Sequence, residues 1–260
     1  ITVAAGKTET ISQSVDVANP KLWSVDSPNL YWVRTEIIQN GKVVDRTDSR
    51  FGIRYIATNP NSGFYLNGVH TKLNGVCEHS DLGSLGMETY QAAVDRRIRT
   101  LKKYGVNAIR TSHNPVSPEF IEACDRLGML VFEEAFDQWL DSKNSDDYHN
   151  YFNKAADGKT VVFDKAGNDN TNNDTSYIEV KREDLQSNAE RDIKAMVDRD
   201  KNAPCIFAWS TGNEIYDARY KHGENTLDML TGWIKEIDTT RPVAACPPTW
   251  DNYWANNAQQ

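Results

Sequence analysis

At 260 residues the chain has room for one large domain or two smaller ones, and a content of 39% hydrophobic and 25% charged residues is that of a folded globular protein rather than a disordered one. A net charge of −8, with basic residues clustered no further than Arg96-Arg97 and Lys102-Lys103, argues against a nucleic-acid partner, and no apolar run approaches the length of a membrane span.

Residues 1–56 read as β throughout. Ile11, Val15 and Val17 alternate with polar residues, as do Tyr31, Val33, Thr35 and Ile37, and Asn40-Gly41 between two such runs is a strong hairpin signal. Four or so short strands are too few for a β-sandwich of ordinary size, so this segment is expected to be part of one, its C-terminal portion. Asn59-Pro60-Asn61-Ser62-Gly63 reads as a linker, after which strands alternate with helices, the pattern of parallel βαβ units.

The expected order from there is a strand over 69–76, a helix carrying Tyr90, Val94, Ile98 and Leu101 that stops at Gly105, and a strand over 106–110. Ser117-Pro118 opens the next helix and Gly128 ends it. A third strand runs over 129–132, a helix carries Leu185, Ala189, Ile193 and Met196, and Cys205 to Trp209 form a fourth strand. A helix with Leu227, Leu230, Ile234 and Ile237 leads to a fifth strand over 243–246. Between the third and fourth strands, residues 141–180 are polar and read as an insertion. A closed (β/α)8 TIM barrel needs eight units, and residues 57–260 supply four to five.

Polar side chains fall at the C-terminal ends of these strands: Glu78, His79 and Asp81; Arg110, Ser112, His113 and Asn114; Glu133 and Glu134; Asn213 and Glu214. In α/β folds that end carries the chemistry. Each residue also has a plainer role open to it. His113 could shape the turn before Asn114-Pro115, Arg110 could pair structurally with Glu134, and of two adjacent glutamates only one can face the barrel centre. His79, His113 and Glu134 lack a local metal-ligand spacing, so no metal is expected. No dinucleotide, nucleoside-triphosphate, serine-hydrolase or dithiol motif is present. The four cysteines are widely spaced and read as buried free thiols. Carboxylates, imidazoles, an amide and seven tryptophans suit a sugar ligand, and Glu214 is the natural proton donor for glycoside hydrolysis.

Three blocks carry a resemblance: Asn74-Gly75-Val76-Cys77-Glu78-His79; Asn107 through Arg110-Thr111-Ser112-His113-Asn114-Pro115 to Cys124-Asp125-Arg126-Leu127-Gly128; and Asp198-Arg199-Asp200-Lys201-Asn202-Ala203-Pro204 through Trp209-Ser210-Thr211-Gly212-Asn213-Glu214. Together they resemble glycoside hydrolase family 2, the β-galactosidase and β-glucuronidase family of retaining glycosidases. The resemblance implies an immunoglobulin-like domain ending near residue 56, followed by a TIM-barrel catalytic domain. It implies Glu214 as general acid/base, with Asn213, His113, His79 and Arg110 at the substrate site and Glu134 as a structural or substrate-site carboxylate. Trp139, with Tyr148 and Tyr151, is a candidate for a subsite lid.

Some members of the family bind magnesium through a Glu and a His, but Gln138 and Leu140 stand at those positions, so neither metal nor cofactor is expected. No residue here matches the family's nucleophilic glutamate on strand seven, so the chain alone is expected to be inactive. The Asp81–Gly86 stretch favours a terminal β-galactoside as the parent's substrate. β-Glucuronides, β-mannosides and a non-catalytic sugar-binding role are the alternatives. Half a barrel leaves open edges, which favours association between chains. The chain begins at Ile1 in mid-pattern, as expected if a leader or upstream domains precede it, and its compartment, periplasmic or secreted among others, is open.

Overall fold

The structure, a computed structural model, describes residues 2–139, 188–215 and 223–246. Asn40 and Gly41, at φ 51° and 75°, turn β1 (Tyr31–Gln39) back onto β2 (Lys42–Phe51) as an antiparallel hairpin. Both turn residues take the left-handed conformation that a two-residue Asn-Gly loop favours. The register steps from Ile38 against Val43 to Ile37 against Asp45, so Val44 is the extra residue of a bulge. Trp32, Val33, Ile37, Ile38, Val43 and Val44 are all exposed, on both faces of the hairpin.

The strand expected around Ile11–Val17 does not form. Before Tyr31 the one ladder pairing among the described residues is an isolated bridge between Trp23 and Pro28. Alternation alone makes no strand; a neighbour must take up the backbone groups, and here none of the described segments does.

Residues 59–63, read as a linker, are the turn between β3 (Ile56–Asn59) and β4 (Gly63–Leu66), which with β5 (Val69–His70) form a three-stranded antiparallel sheet. Phe64 and Leu66 alternate into the core. The single strand expected over 69–76 is divided, and Asn107 explains the break. Its side-chain oxygen accepts the Asn74 N–H at 2.8 Å while its amide donates to the Lys72 carbonyl at 2.8 Å. The chain is thereby clamped between β5 and β6 (Gly75–His79).

Five parallel strands make the main sheet, and their spatial order is their chain order: β6, β7 (Ala108–Ser112), β8 (Leu130–Phe136), β9 (Ile206–Gly212) and β10 (Val243–Ala244). Helices α1 (Gln91–Lys103), α2 (Pro118–Leu127), α3 (Asn188–Asp200) and α4 (Gly223–Ile237) fill the connections. Consecutive parallel strands joined through helices are successive units of a TIM barrel, here a partial one of five strands. The helices bury the stripes their spacing predicts, Val94 and Ile98 on α1 and Ile193, Met196 and Val197 on α3. Tyr90, expected on the first stripe, instead precedes α1 and is exposed. Of the cysteines, Cys124 and Cys205 are buried and Cys246 partly so, whereas Cys77, on the edge strand β6, is exposed.

The caps on α2 are those the sequence announces. Ser117 accepts the Phe120 N–H, Pro118 takes the first turn, and Gly128 at φ 74° donates to the Cys124 carbonyl at 2.9 Å. A Cβ on Gly128 would lie 2.3 Å from the Val25 carbonyl oxygen. Gly128→Ala combines a positive φ with a backbone clash, so we expect a loss of roughly 2–4 kcal/mol, read from the urea midpoint.

The N-terminal segment is fastened to the base of the sheet, at the N-terminal ends of the strands. Trp23 is fully buried and its indole donates to the Asp125 carbonyl at 2.8 Å. Arg50 pairs with the buried Asp125 carboxylate at 3.0 Å. Gly52 lies so close that a Cβ would meet the Pro204 ring at 2.6 Å. Arg54 donates to the carbonyls of Pro204 at 2.7 Å and Ile206 at 2.5 Å. Arg241 reaches the same Ile206 carbonyl at 2.8 Å. Burial, reinforced by the Arg241 charge, brings the Arg54 pKa down to about 10.

Candidate active site

At the opposite, C-terminal end of the sheet, register decides which side chains meet. Glu134 on β8 pairs with Ser210 on β9, and Arg110 on β7 pairs with Phe132 two residues earlier on β8, so these positions face the same side. Glu134 is fully buried. Arg110 donates Nε to its Oε2 at 2.9 Å and Nη2 to its Oε1 at 3.0 Å. Ser210 Oγ donates to Oε2 at 2.7 Å, and His113 Nδ1 lies 2.5 Å from Oε1. The Glu134 N–H is itself held by Thr111 Oγ1 at 2.8 Å. Glu134, fully buried, therefore fixes Arg110 and His113, which fits the first of the two roles, structural or substrate-site, that the resemblance leaves for it.

The end of β9 is fitted closely against β8. A Cβ on Gly212 would lie 2.6 Å from the Phe136 carbonyl oxygen, so only glycine permits this approach. The Asn213 N–H then donates to that carbonyl at 3.3 Å. Its side chain is held at both ends: Arg110 Nη2 donates to Oδ1 at 2.9 Å, and Nδ2 donates to Asp137 Oδ1 at 2.9 Å. Glu214 follows, half-buried, at φ 45°, and the Ile215 N–H anchors the turn on the Cys246 carbonyl at 3.0 Å. A glutamate in the left-handed region costs of order 1 kcal/mol or more, and such strain gathers where geometry serves function.

Arg110, His113, Glu134 and Asn213 thus form one connected network, with Glu214 next to it in the chain. His79, exposed at the end of β6, stands edge-on to His113 with ring centroids 5.5 Å apart. Trp139 is elsewhere. It is 2% exposed, its indole donates to the Thr211 carbonyl at 2.7 Å, and it stacks edge-on against Phe136. An indole with its N–H satisfied inside the core has no face for a sugar, so Trp139 buttresses β9 instead. Gln138, at one expected magnesium position, is a buried amide and offers no carboxylate. Among the described residues no three His, Cys, Asp or Glu side chains are grouped so as to hold a metal ion. Leu140, the 141–180 insertion and its Tyr148 and Tyr151 lie outside the described residues.

Ser210, Thr111 and Asp137 were missed by the sequence reading. Ser210 could have been found, since it lies two residues before Gly212 on the same face of the strand that ends in Asn213-Glu214. Asp137 gives no such signal, because its partner is 76 positions away.

Glu133 points the other way, toward α3, where Arg199 lies 3.4 Å from Oε1 and also donates to Asp200. Burial, then the nearby Asp200 charge, pushes the Glu133 pKa well above the usual glutamate range. A carboxyl whose folded pKa is raised binds its proton more tightly in the native state, so its contribution is full at acid pH and is lost as pH rises through the raised value. We expect the stability of the chain to fall toward alkaline pH with a slope that Glu133→Gln removes, measured as urea midpoints over a pH series.

The comparisons with known proteins agree with this geometry. Residues 58–256 match the model for the TIM-barrel domain of glycosyl hydrolases family 2, and residues 1–54 match a second family 2 model. The β-galactosidase BoGH2A of Bacteroides ovatus is 34% identical over 93% of this chain, which spans 28% of that protein. A crystal structure of a glycosyl hydrolase family 2 member from Bacteroides cellulosilyticus superposes with a TM-score of 0.73 at 38% identity, over 91% of this chain and 27% of that one. A Bacteroides uniformis β-glucuronidase structure has a TM-score of 0.68 at 25% identity, over 95% of this chain and 26% of that one. A partial parallel barrel and a family model spanning its whole sheet lead to one assignment: the chain belongs to glycosyl hydrolases family 2.

Proposed function

We propose that the full-length protein carrying this chain is a retaining exo-β-glycosidase acting on terminal β-galactosides, with Glu214 as its general acid/base. The observation that carries the reading is the placement of Glu214 at the C-terminal end of β9, directly after an Asn213 amide anchored by Arg110. In this reading Glu214 protonates the glycosidic oxygen as the bond breaks and later takes a proton from the attacking water. His113 and Arg110, fixed by Glu134, line the site, and His79 contributes from β6. The retaining mechanism needs a second carboxylate about 5–5.5 Å from the first. No residue of the 260 matches the family's nucleophile, so the chain alone is inert toward glycosides. A β-glucuronidase is the second reading, favoured by the likeness to the B. uniformis enzyme.

The test is hydrolysis by the full-length protein of nitrophenyl β-galactoside and β-glucuronide, with Glu214→Gln alongside. We expect the galactoside to be preferred. The variant should lose about 10²–10⁴-fold in kcat/KM on substrates with a poorly departing alcohol, and much less on a dinitrophenyl glycoside, whose leaving group needs little protonation. Equal losses on both leaving groups argue against the acid role. Turnover by the isolated chain overturns the expectation of inactivity.

A further inference from the structure

The Asn213 side chain is held by two groups of opposite charge. Its oxygen accepts from the Arg110 guanidinium at 2.9 Å, and its nitrogen donates to the Asp137 carboxylate at 2.9 Å. An amide reversed by half a turn would set its oxygen against a carboxylate and its NH2 against a guanidinium, which is unfavourable at both ends. The arrangement therefore assigns the amide orientation by charge, where a neutral partner would leave it open to flipping. Arg110 is in turn fixed by its fork on buried Glu134, and Asp137 is placed by the close approach of β8 and β9 at Gly212. One Nδ2 hydrogen is committed to Asp137, which fixes the direction of the second, and Glu214 is the next residue in the chain.

We propose that Asp137 is a positioning residue of the glycosidase site: it acts through Asn213, holding that amide so that its NH2 donates to a sugar hydroxyl oxygen next to the bond cleaved. The proposal rests on the function given above. It goes further in assigning a task to a residue that lies outside the sequence blocks of the family resemblance. Asp137 itself forms no bond to the substrate in this account.

A double-mutant cycle in the full-length protein tests it, with Asp137→Ala, Asn213→Ala and the double variant assayed on nitrophenyl β-galactoside. Wild-type turnover and its loss in Glu214→Gln first establish the glycosidase reading, so a failure of that reading shows as absent wild-type activity and is separate from the outcome of the cycle. We expect Asp137→Ala to lower kcat/KM by about 10- to 100-fold, the scale of a lost hydrogen bond to a charged group. The same substitution should cost under about twofold when Asn213 is already alanine. Asp137→Asn, whose oxygen still accepts from Asn213, should restore most of the activity. Losses that multiply independently in the double variant, or a full-activity Asp137→Ala, overturn the proposal. If Asp137→Ala does not fold, Asp137→Ser, too short to reach the amide, takes its place in the same cycle with the same two outcomes.

Discussion

Arg110→Ala should cost about 3–5 kcal/mol of stability and abolish turnover in the full-length protein. Glu134 is fully buried, and Arg110 supplies both its counter-charge and two of its hydrogen bonds. Removing one member of a buried pair leaves an uncompensated charge, which costs far more than the pair itself contributes. Ser210 and His113 remain as partners, but neither replaces a guanidinium fork. Arg110→Lys should recover little, because an ammonium cannot donate to two carboxylate oxygens and to Asn213 in one plane. Urea unfolding followed by tryptophan fluorescence reads the stability. A loss under about 1 kcal/mol contradicts this account of the network.

Asp125→Ala should be comparably damaging, at about 3–5 kcal/mol, although it lies at the other end of the sheet. Its Oδ1 accepts the Cys205 N–H at 3.0 Å and its Oδ2 accepts from Arg50 at 3.0 Å, with the residue 1% exposed. Burial pushes the Asp125 pKa up against the pull of the Cys205 N–H and the Arg50 charge, so the carboxylate is held in place at some cost. Alanine would leave a buried N–H at the start of β9 and an arginine with half its partners gone, whereas Asp125→Asn keeps an acceptor for Cys205 and should lose less. Limited proteolysis provides an independent reading. In the alanine variant the segment up to Arg54 should become cleavable under conditions in which the sheet resists, and equal protection in both proteins speaks against the fastening role.

Much of the fold was legible where a local rule suffices. Ser117-Pro118, Gly128 and Asn40-Gly41 each act within a few residues, and each performs the cap or turn its chemistry demands. The opposite facing of Glu133 and Glu134 followed from strand pleat alone, and the buried stripes of α1 and α3 from the 3.6-residue helical period. The readings that missed were those a distant partner decides. Ile11, Val15 and Val17 have the alternation of a strand and, among the described residues, no neighbour to pair with. The break between β5 and β6 depends on Asn107, more than thirty positions on. Trp139 is a candidate for a subsite lid by sequence, but the Thr211 carbonyl, 72 positions later, takes its indole N–H in the core. In the site itself the residue types and their strand-end positions were readable, and the bonds joining Ser210 and Asp137 to them were not.

The fastening of Arg54 to the carbonyls of Pro204 and Ile206 spans 150 and 152 positions. That span sets an order of assembly during synthesis. Each βα unit can dock on its predecessor soon after leaving the ribosome, because neighbouring strands in the sheet are neighbours in the chain. Trp23 and Arg50 meet their partner Asp125 once α2 is made, whereas Arg54 waits for Pro204 and Ile206, three βα units after it in the chain. The segment is thus locked in two stages, and until β9 begins the Arg54 guanidinium is without its two native carbonyl partners.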